Sequence, residues 1–152
     1  MAPNGDVFLL DPNTPPGATR YAHARIAPAS AHRTIYVSGI AAVTPDGKLE
    51  GATENADGTW DLDIRAQTAA VLRRIDSIIR GASNGKGDIH NVIDSVVYLT
   101  DMKAHYGGMN EEWNKVFADR VTAPARATIG VKELPNPSFL VEIKVVAVVD
   151  FE

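Results

Sequence analysis

The alternation of apolar and polar positions is sharpest near the end of the chain, in PARATIGVKELPNPSFLVEIKVVAVV over residues 124–149. Arg126, Thr128 and Gly130 alternate with Ala127, Ile129 and Val131. Further on, Val141, Ile143, Val145 and Ala147 alternate with Glu142 and Lys144. A period of two is that of strands with one buried face. Pro135 and Pro137 lack N–H donors and suit the link between two strands. Paired as a hairpin closing near Leu134 and Pro135, these strands would set Arg126 roughly opposite Glu142 on one face.

Earlier in the chain, residues 1–19 are rich in Pro, Asn and Gly and read as an irregular arm, with a short extended piece at 7–10. Residues 20–152 read as a single domain. A first strand is expected over 20–29. A second, RTIYVSGIAAV over 33–43, is bounded by the turn at Pro45, Asp46 and Gly47, and 46–60 reads as loop. The spacing of Ile64, Ala70 or Val71, Ile75, and Ile78 or Ile79 predicts a helix over 61–80, entered through Asp61 and Asp63 and left at Gly81. After a glycine-rich turn at 84–88, IHNVIDSVVYLT over 89–100 alternates as a strand. A second helix is expected over 102–120. Tyr106, Met109 or Asn110, Trp113, Val116 and Phe117 share its face, and Gly107 and Gly108 weaken its start.

Hairpin, helix, strand, helix and hairpin in that order predict an α+β fold, one mixed β-sheet with two helices packed on one face. The second face would then carry Arg126, Thr128, Glu142, Lys144 and Ser38, mixed with Val146 and Val148. A half-apolar open face of that size predicts that other copies of the chain cover it.

Composition narrows the function. The chain has 152 residues, enough for one domain with a real core, and a net charge of −4. A nucleic-acid binder needs a basic face, so no nucleic-acid partner is expected. Cysteine is absent, which excludes disulfides, thiolate nucleophiles and Cys-based metal sites. No stretch is apolar enough for a signal peptide or a membrane span, so the expected location is the cytoplasm, without a membrane partner.

Candidate chemistry centres on the Arg126 and Glu142 strands. A guanidinium beside a carboxylate on a sheet could be a structural ion pair. Ion pairs on sheet faces are common, which favours that reading, but the pair could also be a site in which the Arg grips a substrate carboxylate and the Glu handles a proton or a water. Ser38, in YVSGI, lacks the nucleophile-elbow pattern and suits a turn hydroxyl or a ligand donor. His23, His32, His90 and His105 fall into no metal-ligand spacing, and no metal is expected. Asn110, on the apolar side of its helix, must find partners, either at a strand end or on a ligand. Asp94 interrupts an apolar strand face and suits an edge or a subunit contact. The glycines of 81–87 follow a helix and lack a phosphate-loop ending, and no cofactor motif is visible.

The pieces YVSG (36–39), DIRAQT (63–68), VYLTDM (97–102), MNEEWNKVF (109–117), PARATIGV (124–131) and LVEIKVVAV (140–148) together resemble the RidA/YjgF/UK114 family of small trimeric deaminases from about Tyr21 onward. DIRAQT, YGGMNEEW and LPNP followed by VEIKVVA look most like its 2-aminomuconate deaminase branch. The resemblance implies a chorismate-mutase-like α+β fold and a homotrimer with a central barrel and active sites in clefts between subunits. The family's carboxylate-binding arginine falls on Arg126, its water-positioning glutamate on Glu142, its serine after the second strand on Ser38 and its helix asparagine on Asn110. Thr128 stands where many members carry cysteine, residues 28–33 look like an insertion, and Asn136 stands where several aminomuconate deaminases carry histidine. The implied reaction is hydrolytic deamination of 2-aminomuconate, or a close 2-amino-diene acid, to the oxo acid and ammonia, with no cofactor. A broad-specificity deaminase of 2-iminobutanoate and 2-iminopropanoate, or a non-catalytic trimeric ligand-binding protein, are the alternatives. A dicarboxylate would need a second basic group, for which His23, Arg25, His105 and Lys144 are candidates.

Overall fold

The computed structural model describes residues 2–13 and 21–151. Residues 14–19 of the expected arm, and Arg20 at the start of the expected first strand, lie outside the described residues. The elements in order are β1 (Asp6–Phe8), β2 (Ala24–Ile26), β3 (Arg33–Ile40), β4 (Ala52–Glu54), β5 (Trp60–Leu62), α1 (Ile64–Ala82), β6 (Val92–Thr100), α2 (Met102–Val116), β7 (Ala125–Val131) and β8 (Val141–Val149).

Both helices start where a side chain satisfies free backbone donors. The Asp63 carboxylate accepts from the amides of Arg65 and Ala66 at 2.9 and 3.1 Å, so α1 begins after it rather than at Asp61. Gly81 does not end the helix. The reversal comes later, at Asn84 and Gly85, both at positive φ. Asp101 caps α2, which stops at Val116, earlier than expected. The chain then folds into a turn in which the Asp119 carbonyl accepts from Thr122 and Ala123. Gly108 is where the helices meet: a Cβ there would lie 2.7 Å from Ile64 Cγ2.

Residues 52–60, expected as part of a loop, and residues 61–62, expected to open the first helix, form a short ribbon of β4 on β5, turned through Gly58 at positive φ. β2 pairs with β1 and not with β3, so there is no opening hairpin within the main sheet.

That sheet has four strands in the order β3-β8-β6-β7. β6 and β7 are parallel, as a strand–helix–strand crossover through α2 allows, and the other pairs are antiparallel. The expected β7–β8 hairpin is therefore absent. The link after β7 passes to the far side of β6, and Gln67 of α1 holds it there. The buried Gln67 amide donates to the Ser138 carbonyl at 2.8 Å and accepts from the Leu140 amide at 2.9 Å.

α1 and α2 cover one face. Val37, Val97, Leu99, Val141, Ile143 and Val145 pack there against Val71, Ile75, Ile79, Met109 and Trp113 in one buried cluster. The other face is open and half-apolar. It carries Tyr36, 75% exposed, Ile129, 45% exposed, and Val96, Tyr98, Glu142, Lys144 and Val146 in register with them.

Candidate active site

Register decides which side chains can act together. Arg126 is in register with Ser95, and Ser95 with Val145, so all three point to the helix side. Glu142 is in register with Tyr98, and Tyr98 with Ile129, which point to the open side. Thr128, in register with Val97, goes with Arg126. The expectation that Arg126, Thr128 and Glu142 share a face is thus overturned, and with it the intrachain ion pair. Taking β8 out of a hairpin with β7 and inserting β6 breaks the juxtaposition.

Arg126 is held by α2. Its Nη2 donates to Asn110 Oδ1 at 2.8 Å, and its Nη1 approaches the sulfur of Met109 at 3.7 Å. Its Cζ lies 4.8 Å from the Trp113 ring centroid and 5.5 Å from that of Tyr21, within cation–π range of both. Burial pushes the guanidinium below its ordinary value, and the phenols of Tyr106 and Tyr21 partly offset this. Arginine nonetheless remains protonated, so the site holds a fixed positive charge.

Three buried polar atoms gather here without a partner: Arg126 Nε, Trp113 Nε1 and Thr128 Oγ1. Unpaired buried polar groups are costly, and their clustering marks a place not arranged for stability alone. A cleft of about 460 Å³ opens beside them on the edge strand, lined by Tyr21, Met102, Tyr106, Arg126, Ala127 and Thr128. A larger groove of about 640 Å³ lies between the helices, but its charged lining includes Lys115 paired with Glu112 at 2.7 Å. The edge cleft, with a desolvated cation and donors to spare, is the better chemistry.

Asn110, 4% exposed, thus answers its open question by gripping the arginine. Glu142 belongs to a second cluster on the open face. Its carboxylate lies over Gly39, where a Cβ would collide with Oε1. Ser38 is beside it in the irregular stretch between Val37 and Ile40, where β3 slips register against β8. Lys144 donates to the Val37 carbonyl at 3.1 Å on the same side.

The remaining cations are scattered. Exposed His23 accepts from the Leu10 amide at 3.1 Å, and Arg25 is bound to Gly5 and Asn4. His105 is half-buried on α2 and is not among the cleft residues. Sequence reasoning passed over Tyr21 and gave Trp113 and Tyr106 only a packing role. Their proximity to Arg126 is long-range and has no local pattern to reveal it.

No helix among the described residues is long and apolar enough to cross a membrane, and no group of three metal-ligating side chains occurs among them.

The family described as endoribonuclease L-PSP matches residues 12–149. A RutC family protein of Aquifex aeolicus is 33% identical over 116 residues, covering 75% of this chain and 79% of that protein. The RutC family protein YoaB of Escherichia coli K12 is 36% identical over 100 residues, covering 65% and 78%. Among solved structures, YyfB of Yersinia pestis, described as a protein of unknown function of the conserved Rid family, shares the fold. Its TM-score is 0.75 at 24% identity, over 95% of this chain and 98% of that one. Yeast Mmf1 reaches 0.62 at 27% identity, over 90% and 92%. With the two-helix, mixed-sheet α+β architecture described above, these matches make the chain a member of the endoribonuclease L-PSP family, the RidA/YjgF/UK114 proteins.

Proposed function

We propose that this protein is a hydrolytic deaminase of 2-aminomuconate or a close 2-amino-diene acid. It works as a homotrimer whose sites form between copies, with Arg126 and Asn110 from one copy and Glu142 and Ser38 from the next. The carrying observation is Arg126 itself: a half-buried guanidinium, stacked on Trp113, open to a cleft, with more N–H donors than its protein partners use.

Such a cation suits a carboxylate through two parallel hydrogen bonds. Clamping the carboxylate next to the reacting carbon fixes that carbon's geometry and draws electron density from it. The 2-amino-diene acid tautomerises, its N–H proton moving to carbon, to give a C=N imine. Water adds to the imine carbon and its protons pass to nitrogen through Glu142. The C–N bond then breaks, releasing ammonia and leaving the 2-oxo acid. Thr128, where many relatives carry cysteine, leaves no thiol for this sequence. A nuclease reading, which the family's description carries, has the net charge of −4 against it.

The test is ammonia release from freshly generated 2-aminomuconate, beside 2-iminobutanoate and 2-iminopropanoate, with Arg126→Ala as control. Fast, Arg126-dependent release from aminomuconate alone is the expected result. Equal rates on the short imines would replace the specialist with a general deaminase. Silence on all three would leave a ligand-binding protein.

A further inference from the structure

Helix α1 carries four arginines, and their partners differ in kind. Arg65 meets Glu111 at 2.7 Å, Arg73 meets Glu50 at 2.9 Å, and Arg80 meets Asp76 at 2.7 Å. Arg74 is half-buried and has no carboxylate partner among the described residues. Its Nη1 donates to the Val43 carbonyl, which ties one corner of the guanidinium to the segment after β3 and leaves the other donors to spare. A solvated surface cation needs no partner, so the surroundings of Arg74 decide what it is for.

The guanidinium opens onto a groove of about 470 Å³ between α1 and the turn after β3, with Val43, Pro45, Ala70 and Ile78 as its apolar lining. Both walls are fixed. One is the helix itself. The other is a turn closed by the Thr44 amide on the Lys48 carbonyl at 2.8 Å and the Glu50 amide on the Ala42 carbonyl at 2.9 Å. The groove is therefore preformed. Its charged lining is Arg73, Arg74 and Glu50, two cations against one carboxylate. β3 and β7 are opposite edges of the four-stranded sheet, and the groove shares no residue with the Arg126 cleft.

We propose that this groove is a second ligand site, separate from the Arg126 cleft, that takes small monocarboxylates with an apolar tail. The spare donors of Arg74 meet the carboxylate in a charge-assisted pair, and the tail covers Val43, Ala70 and Ile78. The balance of charge selects a single negative group. A phosphate dianion would be repelled by Glu50 and would leave the apolar lining wet. An uncharged molecule of the same length would cover the lining but leave the guanidinium facing it unmatched.

The experiment follows the amide chemical shifts of the full chain as hexanoate, hexan-1-ol or inorganic phosphate is added. It compares the natural protein with Arg126→Ala, Arg74→Gln and Ser77→Glu. Hexanoate is expected to shift residues 43–45 and 70–78 and to saturate with a Kd of about 1 mM. That response should be unchanged in Arg126→Ala and at least about tenfold weaker in Arg74→Gln, which loses the charge. Ser77 is exposed on the rim, four residues after Arg73 and three after Arg74, so a glutamate there pairs with either arginine in the ligand's stead. Ser77→Glu should therefore weaken hexanoate as much as Arg74→Gln does, and it keeps the tie to Val43 should Arg74→Gln not fold. Phosphate and hexan-1-ol should bind at least about tenfold more weakly than hexanoate.

An Arg74 that only ties α1 to the turn would lower the melting temperature of Arg74→Gln and leave hexanoate binding intact in Ser77→Glu, which overturns the site. Hexanoate shifts confined to the Arg126 cleft and lost in Arg126→Ala overturn it as well, as does the absence of saturable shifts in the groove. Phosphate binding as tightly as hexanoate overturns the ligand class. Because the two sites share no residue, failure of the reaction proposed for Arg126 would leave the response of the groove in Arg126→Ala unaltered.

Discussion

Arg126 and Glu142 project from opposite faces of one sheet, with β6 between their strands. Arg126 is aligned with Ser95 and Glu142 with Tyr98, and those two β6 residues point to opposite sides. Arg126 is on an edge strand, while Glu142 leans over Gly39 toward the other edge. One copy of the chain cannot bring them to one substrate. Two copies can, if the β7 edge of one meets the open face of the next. Such a contact joins unlike surfaces and closes into a ring when the rotation permits.

Subunit mixing tests this directly. Arg126→Ala and Glu142→Ala are each expected to be inactive as pure proteins. In random mixtures of the proposed trimer, about a quarter of the shared sites would unite an intact arginine with an intact glutamate, so about a quarter of the natural activity should return. Ammonia release from co-refolded variants measures it. A mixture as dead as its parents would place both groups in one copy, or remove one from the mechanism.

Gly39→Ala probes Glu142 without touching it. The added methyl would meet the end of a flexible side chain, so the carboxylate must swing away while the backbone stays. Thermal stability should change little, by under about 1 kcal/mol. Turnover should fall toward that of Glu142→Ala. Full activity in Gly39→Ala would mean that the carboxylate's resting place is irrelevant to catalysis.

Much of this layout can be read from the chain, and its failures have a common cause. Alternation in β8 and helical spacing in α1 report which residues of one element share a face, and both patterns hold in the fold. Neither reports which strand lies alongside. β7 and β8 look like a hairpin because they are consecutive, yet the Gln67 amide on Ser138 and Leu140 carries the link across β6. Nothing near Gln67 in the sequence announces that contact. The residues of the Arg126 cleft were partly legible through resemblance, but Tyr21 stacks on Arg126 across most of the chain length, beyond any local pattern. The β4–β5 ribbon was lost for a different reason: three-residue strands are too short to display a period.

Asn110 holds the guanidinium, so its loss should be felt twice. Removing the 2.8 Å acceptor from a half-buried cation should destabilise the fold by about 1–3 kcal/mol, measured by urea unfolding. Carboxylate affinity should also fall, because the fork is no longer aimed. Asn110→Asp restores an acceptor and should recover stability, while its negative charge competes with the substrate, leaving KM high. Recovery of both together would mean that Asn110 only aims the fork and that charge at its position does not matter.

Adjacent glycines in α2 provide a matched pair for the packing argument. Gly107 is exposed, and a Cβ there would meet nothing, so Gly107→Ala should stabilise the protein by about 0.5–1 kcal/mol through helix propensity alone. Gly108 is buried at the helix crossing, where a Cβ would lie 2.7 Å from Ile64 Cγ2 and 3.2 Å from Arg65 Nη1. The same substitution there must push α2 off α1, at a net loss of about 1–3 kcal/mol. Because α2 carries Asn110, Met109 and Trp113 around Arg126, that displacement should also weaken carboxylate binding, whereas Gly107→Ala should not. Urea midpoints and muconate affinities of the two variants decide the matter. If Gly108→Ala is as stable as Gly107→Ala, the helices are not in the tight contact described, and the support proposed for Arg126 is looser than the fold implies.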